Sequence, residues 1–154
     1  METQEHIEEK VKELERRLKI QAELYRSLLG LAKQQVHEIS AQNLDVFMTV
    51  LEQKKTIIEK IGEVEAEIRP LRDYWESHKE EAAEKDRKKL RSVIDEIRSV
   101  LEELVDVESR SQKELGSAMN TVEEQMRQLS VGPEALRSYS KGEEAKPRFM
   151  DEVG

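Results

Sequence analysis

The chain of 154 residues carries a net charge of −8, with 39 % charged side chains, only 4 % aromatic ones and no cysteine. The acidic balance argues against partners whose binding rests on neutralising phosphates, the missing thiols exclude disulfides and cysteine chemistry, and no apolar run nears the ~20 residues of a membrane span. Large apolar side chains are too few for a thick globular core, so this mix of Glu, Lys, Leu and Arg reads as long helices or coiled coil.

The first ten residues, METQEHIEEK, are acidic and polar, unlike a secretory signal, and a cytoplasmic protein is expected. Residues 4–39 read as the first long helix. Its apolar seam runs Ile7, Val11, Leu14, Leu18, Gln21, Tyr25, Leu28, Ala32, Gln35 and Ile39, in steps of four and three. Glu-rich first turns suit the positive end of a helix dipole. Gly30 lies inside the pattern and reads as a glycine where two helices approach closely. Ser40-Ala41-Gln42-Asn43 then breaks the rhythm. Ser40 or Asn43 is placed to cap a second helix, and so short a connection makes that helix antiparallel to the first.

The second helix, about 43–78, carries Leu44, Phe47, Leu51, Lys54, Ile58, Ile61, Glu65, Ile68 and Leu71 on one seam, with Val50, Ile57 and Val64 widening the stripe. Pro70 removes a backbone donor and crowds the carbonyl four residues back. The pattern resumes through Leu71, Tyr74 and Trp75, so a kinked continuation is expected rather than a stop. Residues 77–86 hold the next turn. Lys85, Arg87, Lys88, Lys89 and Arg91 form a basic cluster among Glu80, Glu81, Glu84 and Asp86, which reads as a solvated helix face.

The third helix, about 84–130, has the longest seam: Leu90, Ile94, Ile97, Leu101, Leu104, Glu108, Ser111, Leu115, Ala118, Val122, Gln125 and Leu129. Nine of these twelve positions are apolar. From Leu90 to Leu129 the stripe spans about 60 Å, too much apolar surface to leave in water. Gly132-Pro133 ends it. Three long antiparallel helices in a coiled-coil-like bundle over residues 1–130 bury all three stripes most simply. A short, partly irregular tail occupies 131–154. In it Pro133 is placed to start a helical turn holding Ala135, Leu136 and Tyr139, and Pro147-Arg148-Phe149-Met150-Asp151 puts an apolar pair in a polar terminus.

No catalytic constellation is present. His6, His37 and His78 lie far apart, and none follows a Glu by three residues, so the Glu-x-x-His pairs of di-iron bundles are missing. No zinc cluster or Gly-rich phosphate loop is formed. No enzyme activity and no cofactor are expected. The informative polar residues stand inside the seams: Gln21, Gln35, Lys54, Glu65, Glu108, Ser111 and Gln125. Lys54 and Glu108 either meet across antiparallel second and third helices, within about 4 Å, or snorkel separately to water.

The stretch LDVFMTVLEQKKTIIEKI, Leu44 to Ile61, resembles the second helix of FlgN-like flagellar export chaperones, with Glu52 and Lys54 ahead of Ile57 and Ile58. Leu24 to Gln35, Leu101 to Glu108, and the tail pattern Gly132, Ala135, Leu136, Tyr139 and Arg148-Phe149-Met150-Asp151 are similar to the same family. The resemblance covers nearly the whole chain. It implies a cytoplasmic chaperone that binds hook-filament junction subunits and delivers them to the export gate, with Tyr139, beside Leu136, in gate contact. On this reading Leu136, Tyr139, Arg148, Phe149 and Met150 contact partners, and Val50, Ile57 and Val64 offer a strip for helix-in-groove capture. Otherwise the strip closes the bundle or a homodimer, and the tail folds back on its own helices or stays loose. The alternative function is a structural or adaptor coiled-coil protein that self-associates; the chaperone is expected as a monomer or homodimer.

Overall fold

A computed structural model describes residues 3–129. They form three long helices: α1, Gln4–Ser40; α2, Leu44–His78; and α3, Glu84–Leu129. A 3-10 turn, Lys79–Glu81, lies between the last two. No strand occurs among the described residues, and the protein is an all-α helical bundle.

The turn after α1 is built by local hydrogen bonding. Asn43 N–H donates to the Glu38 carbonyl and Gln42 N–H to that of Ile39, both at 3.0 Å. This is the double closure of a Schellman motif, and it requires a left-handed residue at its centre. Gln42 takes that position, with φ of 57°. Asn43 then caps α2, its Oδ1 accepting from Val46 N–H at 3.4 Å. The helix continues unbroken through Pro70 to His78. At the second turn Arg87 holds the backbone, its guanidinium donating to the carbonyls of Lys79 at 2.9 Å and Glu80 at 2.7 Å.

The described residues divide into two compact units. The first comprises 3–28 and Lys55–Glu102. Its core gathers Ile7, Val11, Leu14, Ile68, Ala82 and Leu90, with Leu18, Val64, Leu71, Tyr74 and Trp75 packed against them. Each of the Ile, Val and Leu side chains taken fully out of water contributes about 1.5–3 kcal/mol before the cost of ordering the chain. The second unit comprises Leu29–Lys54 and 103–129. Ile39, Phe47 and Leu115, with Met48, form a cluster there, and Ala32, Val50, Leu51, Leu104 and Val107 are buried as well.

The first-helix seam is interior at every position except Leu18, which is half-buried. The second-helix seam is displaced from the expected one. Ile58, assigned to the seam, is 50 % exposed, whereas Ile57 is half-buried. The steps run Lys54, Ile57, Ile61, Val64, Ile68, so Ile57 and Val64 belong to the stripe and Ile58 flanks it, while Glu65 stays half-buried beside Val64. Leu44 is also 48 % exposed, because it opens α2 directly after the turn. Gly30 does not mark a close helix approach: a Cβ built there meets nothing within 4 Å.

Candidate functional site

A buried polar arrangement is made by seam residues of all three helices within the second unit. Lys54 Nζ donates to Gln35 Oε1 at 2.6 Å and lies 2.7 Å from Glu108 Oε1. Gln35 is 0 % and Lys54 4 % exposed; the Glu108 side chain keeps 20 % exposure. A lone ammonium at that depth would be strongly disfavoured. Here a carboxylate neutralises it and an amide oxygen orients it, which satisfies the condition under which a buried charge is tolerated. Ser111, one turn beyond Glu108 on α3, is buried too. A slip of α3 by one turn would set Leu104 or Ser111 opposite the ammonium in place of Glu108, so the triad selects one alignment of the three segments. The lysine–glutamate pair is the one the seam positions suggested; the sequence marked Gln35 as a polar seam residue without linking it to Lys54.

A second interior polar residue lies in the first unit. Gln21 Nε2 donates to the Ile61 carbonyl at 3.2 Å. Its Oε1 is buried without a hydrogen-bond partner among the described residues.

The expected partner-binding residues fall into three groups. Val50 is 1 % exposed, inside the second unit. Ile57 and Val64 are half-buried in the first unit, Val64 packed against its core. Leu136, Tyr139, Arg148, Phe149 and Met150 lie outside the described residues. Apolar side chains that do face outward are Ile20, Leu44, Ile58 and Val105. Among the described residues, no group of three or more His, Asp or Glu is placed to hold a metal ion, and no helix is long and apolar enough to cross a membrane.

These features are those of a bundle whose polar residues organise packing and leave apolar side chains partly available. The family described as FlgN protein matches the chain over residues 1–147. The chain belongs to the FlgN family. FlgN proteins are flagellar export chaperones, and they bind protein substrates. No curated protein and no solved structure matches the chain. FlgN membership therefore rests on the family match, and the helices and the triad are this chain's own geometry.

Proposed function

We propose that this FlgN-family protein is a cytoplasmic chaperone that binds hook-associated subunits of the hook-filament junction and delivers them to the export apparatus. The observation that carries the reading is the family match over residues 1–147. The helical architecture supports it, because long amphipathic helices with partly exposed apolar positions suit capture of a substrate helix by its apolar face. Ile57 and Val64 contribute to that capture in the first unit. Val50, being interior, acts by supporting its own unit. The tail residues Leu136, Tyr139, Arg148, Phe149 and Met150 make the second set of contacts, with Tyr139 and Leu136 directed to the export gate component. The active form is a monomer or homodimer.

The test is capture of purified hook-associated subunits by the full chain and by a chain ending at residue 130. The full chain is expected to retain a subunit through size-exclusion chromatography. The shortened chain is expected to keep its helical circular dichroism and to bind subunit or gate component more weakly. Failure of the full chain to retain any hook-associated subunit overturns the substrate assignment, and unchanged binding by the shortened chain overturns the tail's role. Light scattering that shows a large, concentration-driven oligomer favours a self-associating structural protein instead.

A further inference from the structure

We propose that the outer face of the α2–α3 hairpin in the first unit is a docking groove for an acidic amphipathic helix of a protein partner. The inference takes its class of partner, a protein substrate, from the chaperone reading; the location and the chemistry come from the groove itself. A cleft of about 410 Å³ is lined by Trp75 and Lys79 on one side and by Arg87, Arg91, Ile94 and Arg98 on the other, with Leu90 beneath.

The spacing explains why these side chains share one trough. Arg87, Arg91, Ile94 and Arg98 are separated by four, three and four residues, so they stand in one row along α3, about 16 Å from end to end. Trp75, near the end of α2, and Lys79, which opens the 3-10 turn four residues on, line the cleft with them. Trp75 packs against the core cluster that contains Leu90, while part of it stays exposed. The trough thus has an apolar floor of the length that about three turns of a helix would cover.

Its rim is basic in a chain whose net charge is −8. Four cations, Lys79, Arg87, Arg91 and Arg98, line the cleft with two acids, Glu80 and Asp95, while Glu76 and Glu84 pair with Lys79 and Arg87 from outside the lining. Lys79 is engaged by Glu76 at 2.9 Å, and Arg87 is committed to the hairpin backbone. Arg98 lies 3.9 Å from Asp95. Arg91 makes no ion pair among the described residues. Repulsion would disfavour a second basic helix and attraction would favour carboxylates along the edges of an apolar stripe. A helix bearing Leu or Ile on one face and Glu or Asp on both flanks places its apolar face on the half-buried Trp75 and Ile94 and its acids beside Arg91 and Arg98. Part of the basic cluster that reads from sequence as a solvated face is therefore one wall of a groove.

The chain has a single tryptophan, so Trp75 emission reports occupancy of the groove directly. The probe is a synthetic helix of about 15 residues, four turns, free of aromatic residues, with a leucine face flanked by glutamates. Its control carries lysine at each glutamate position. With the full chain, the glutamate peptide is expected to shift Trp75 emission saturably to the blue and the lysine peptide to leave it unchanged. Arg91→Glu/Arg98→Glu should weaken glutamate-peptide binding at least ~10-fold, a change of about 1.4 kcal/mol, with unchanged circular dichroism. Arg91→Glu alone should weaken it less, and added salt should weaken binding to the unaltered chain.

No shift with the glutamate peptide, or an equal shift with both peptides, overturns the proposal. A blue shift that depends on protein concentration without peptide overturns it in favour of a second copy. A red shift produced by Phe149→Ala/Met150→Ala without peptide overturns it in favour of the chain's own terminus. Capture of a hook-associated subunit by the Arg91→Glu/Arg98→Glu variant with undiminished affinity, when the glutamate peptide also fails, removes the groove and leaves the chaperone reading standing.

Discussion

Lys54 on α2 and Glu108 on α3 are joined by an ion pair of 2.7 Å at positions that a heptad pattern reserves for apolar residues. The two partners are unequally exposed. The lysine side chain retains 6 % exposure and the glutamate 20 %, so water can solvate the carboxylate more readily than the ammonium. Glu108→Leu strands a buried cation and is expected to cost about 3 kcal/mol or more. Lys54→Met leaves a carboxylate that can turn outward but also takes the ammonium donor from the buried Gln35 Oε1, and should cost about 1–3 kcal/mol. The double variant should recover part of the loss, since an apolar pair replaces the ion pair at little net cost while Gln35 Oε1 still lacks the ammonium. Urea unfolding of the four proteins measures all three. Additive losses, or a larger loss for Lys54→Met, would sink this account.

The displaced seam of α2 gives a sharper contrast between neighbouring isoleucines. Ile61 is 1 % exposed and Ile58 is 50 % exposed. Ile61→Ala should therefore cost about 2–5 kcal/mol through lost burial and a cavity. Ile58→Ala should stay within about 0.5 kcal/mol. If thermal unfolding shows similar losses for both, the steps Lys54, Ile57, Ile61 are not the packed register.

That pair also marks where the sequence stops being legible. On α1 the stretch from Ile7 to Leu18 carries single apolar residues between polar ones, which admits one 4–3 phase, and that phase carries the seam on through the doublets Leu24-Tyr25, Leu28-Leu29 and Leu31-Ala32; it is interior except at the half-buried Leu18. On α2 the doublets Val50-Leu51 and Ile57-Ile58 fit two phases equally well. Periodicity cannot choose between them, and packing takes Ile57 inward. The triad was half legible, because polar seam residues need partners but their alignment depends on where the hairpin turns. Asn43 was readable as a cap, whereas Gln42 as the left-handed residue was not, since glutamine has no special preference for that conformation. The row Arg87, Arg91, Ile94, Arg98 was visible at helical spacing. What hid the groove is that its other wall, Trp75 and Lys79, comes from across a turn whose geometry the charged run 77–86 does not disclose.

Glu13 supplies a test in pH. Arg16 Nη2 donates to its carboxylate at 2.8 Å and Arg17 Nε at 3.0 Å. The hydrogen bond from Arg16 is the largest influence; partial desolvation opposes it and the bond from Arg17 adds to it, so the carboxyl titrates below its ordinary value. A folded value below the unfolded one stabilises the protein above the unfolded value, and the contribution is lost as the pH falls through the folded value. In an NMR titration the Glu13 carboxyl should show a midpoint below that of a free glutamate, rising when Arg16 is replaced by glutamine. The stability difference between Glu13→Gln and the unaltered chain should shrink on acidification. A midpoint at or above the ordinary value, or one indifferent to Arg16, would contradict the assignment.

Two backbone positions should respond to opposite substitutions with the same sign. At Gly30 the helix is regular, its φ is not positive, and a Cβ would meet nothing within 4 Å. Alanine there restricts the unfolded chain and has the higher helix propensity, so Gly30→Ala should stabilise by about 0.5–1 kcal/mol. Gln42 holds φ of 57° at the turn, where an L side chain crowds its own backbone at a cost of about 1–2 kcal/mol. Gln42→Gly removes that crowding but loosens the unfolded chain by about 0.4–1 kcal/mol, which leaves a net gain of roughly 0.5–1 kcal/mol. The turn hydrogen bonds from Asn43 to Glu38 and from Gln42 to Ile39 use backbone atoms alone, so they survive the change. Thermal unfolding should show higher midpoints for both variants and a further rise when they are combined. Destabilisation by Gly30→Ala would mean that another surface packs against that position of α1; destabilisation by Gln42→Gly would mean that the glutamine side chain itself holds the turn.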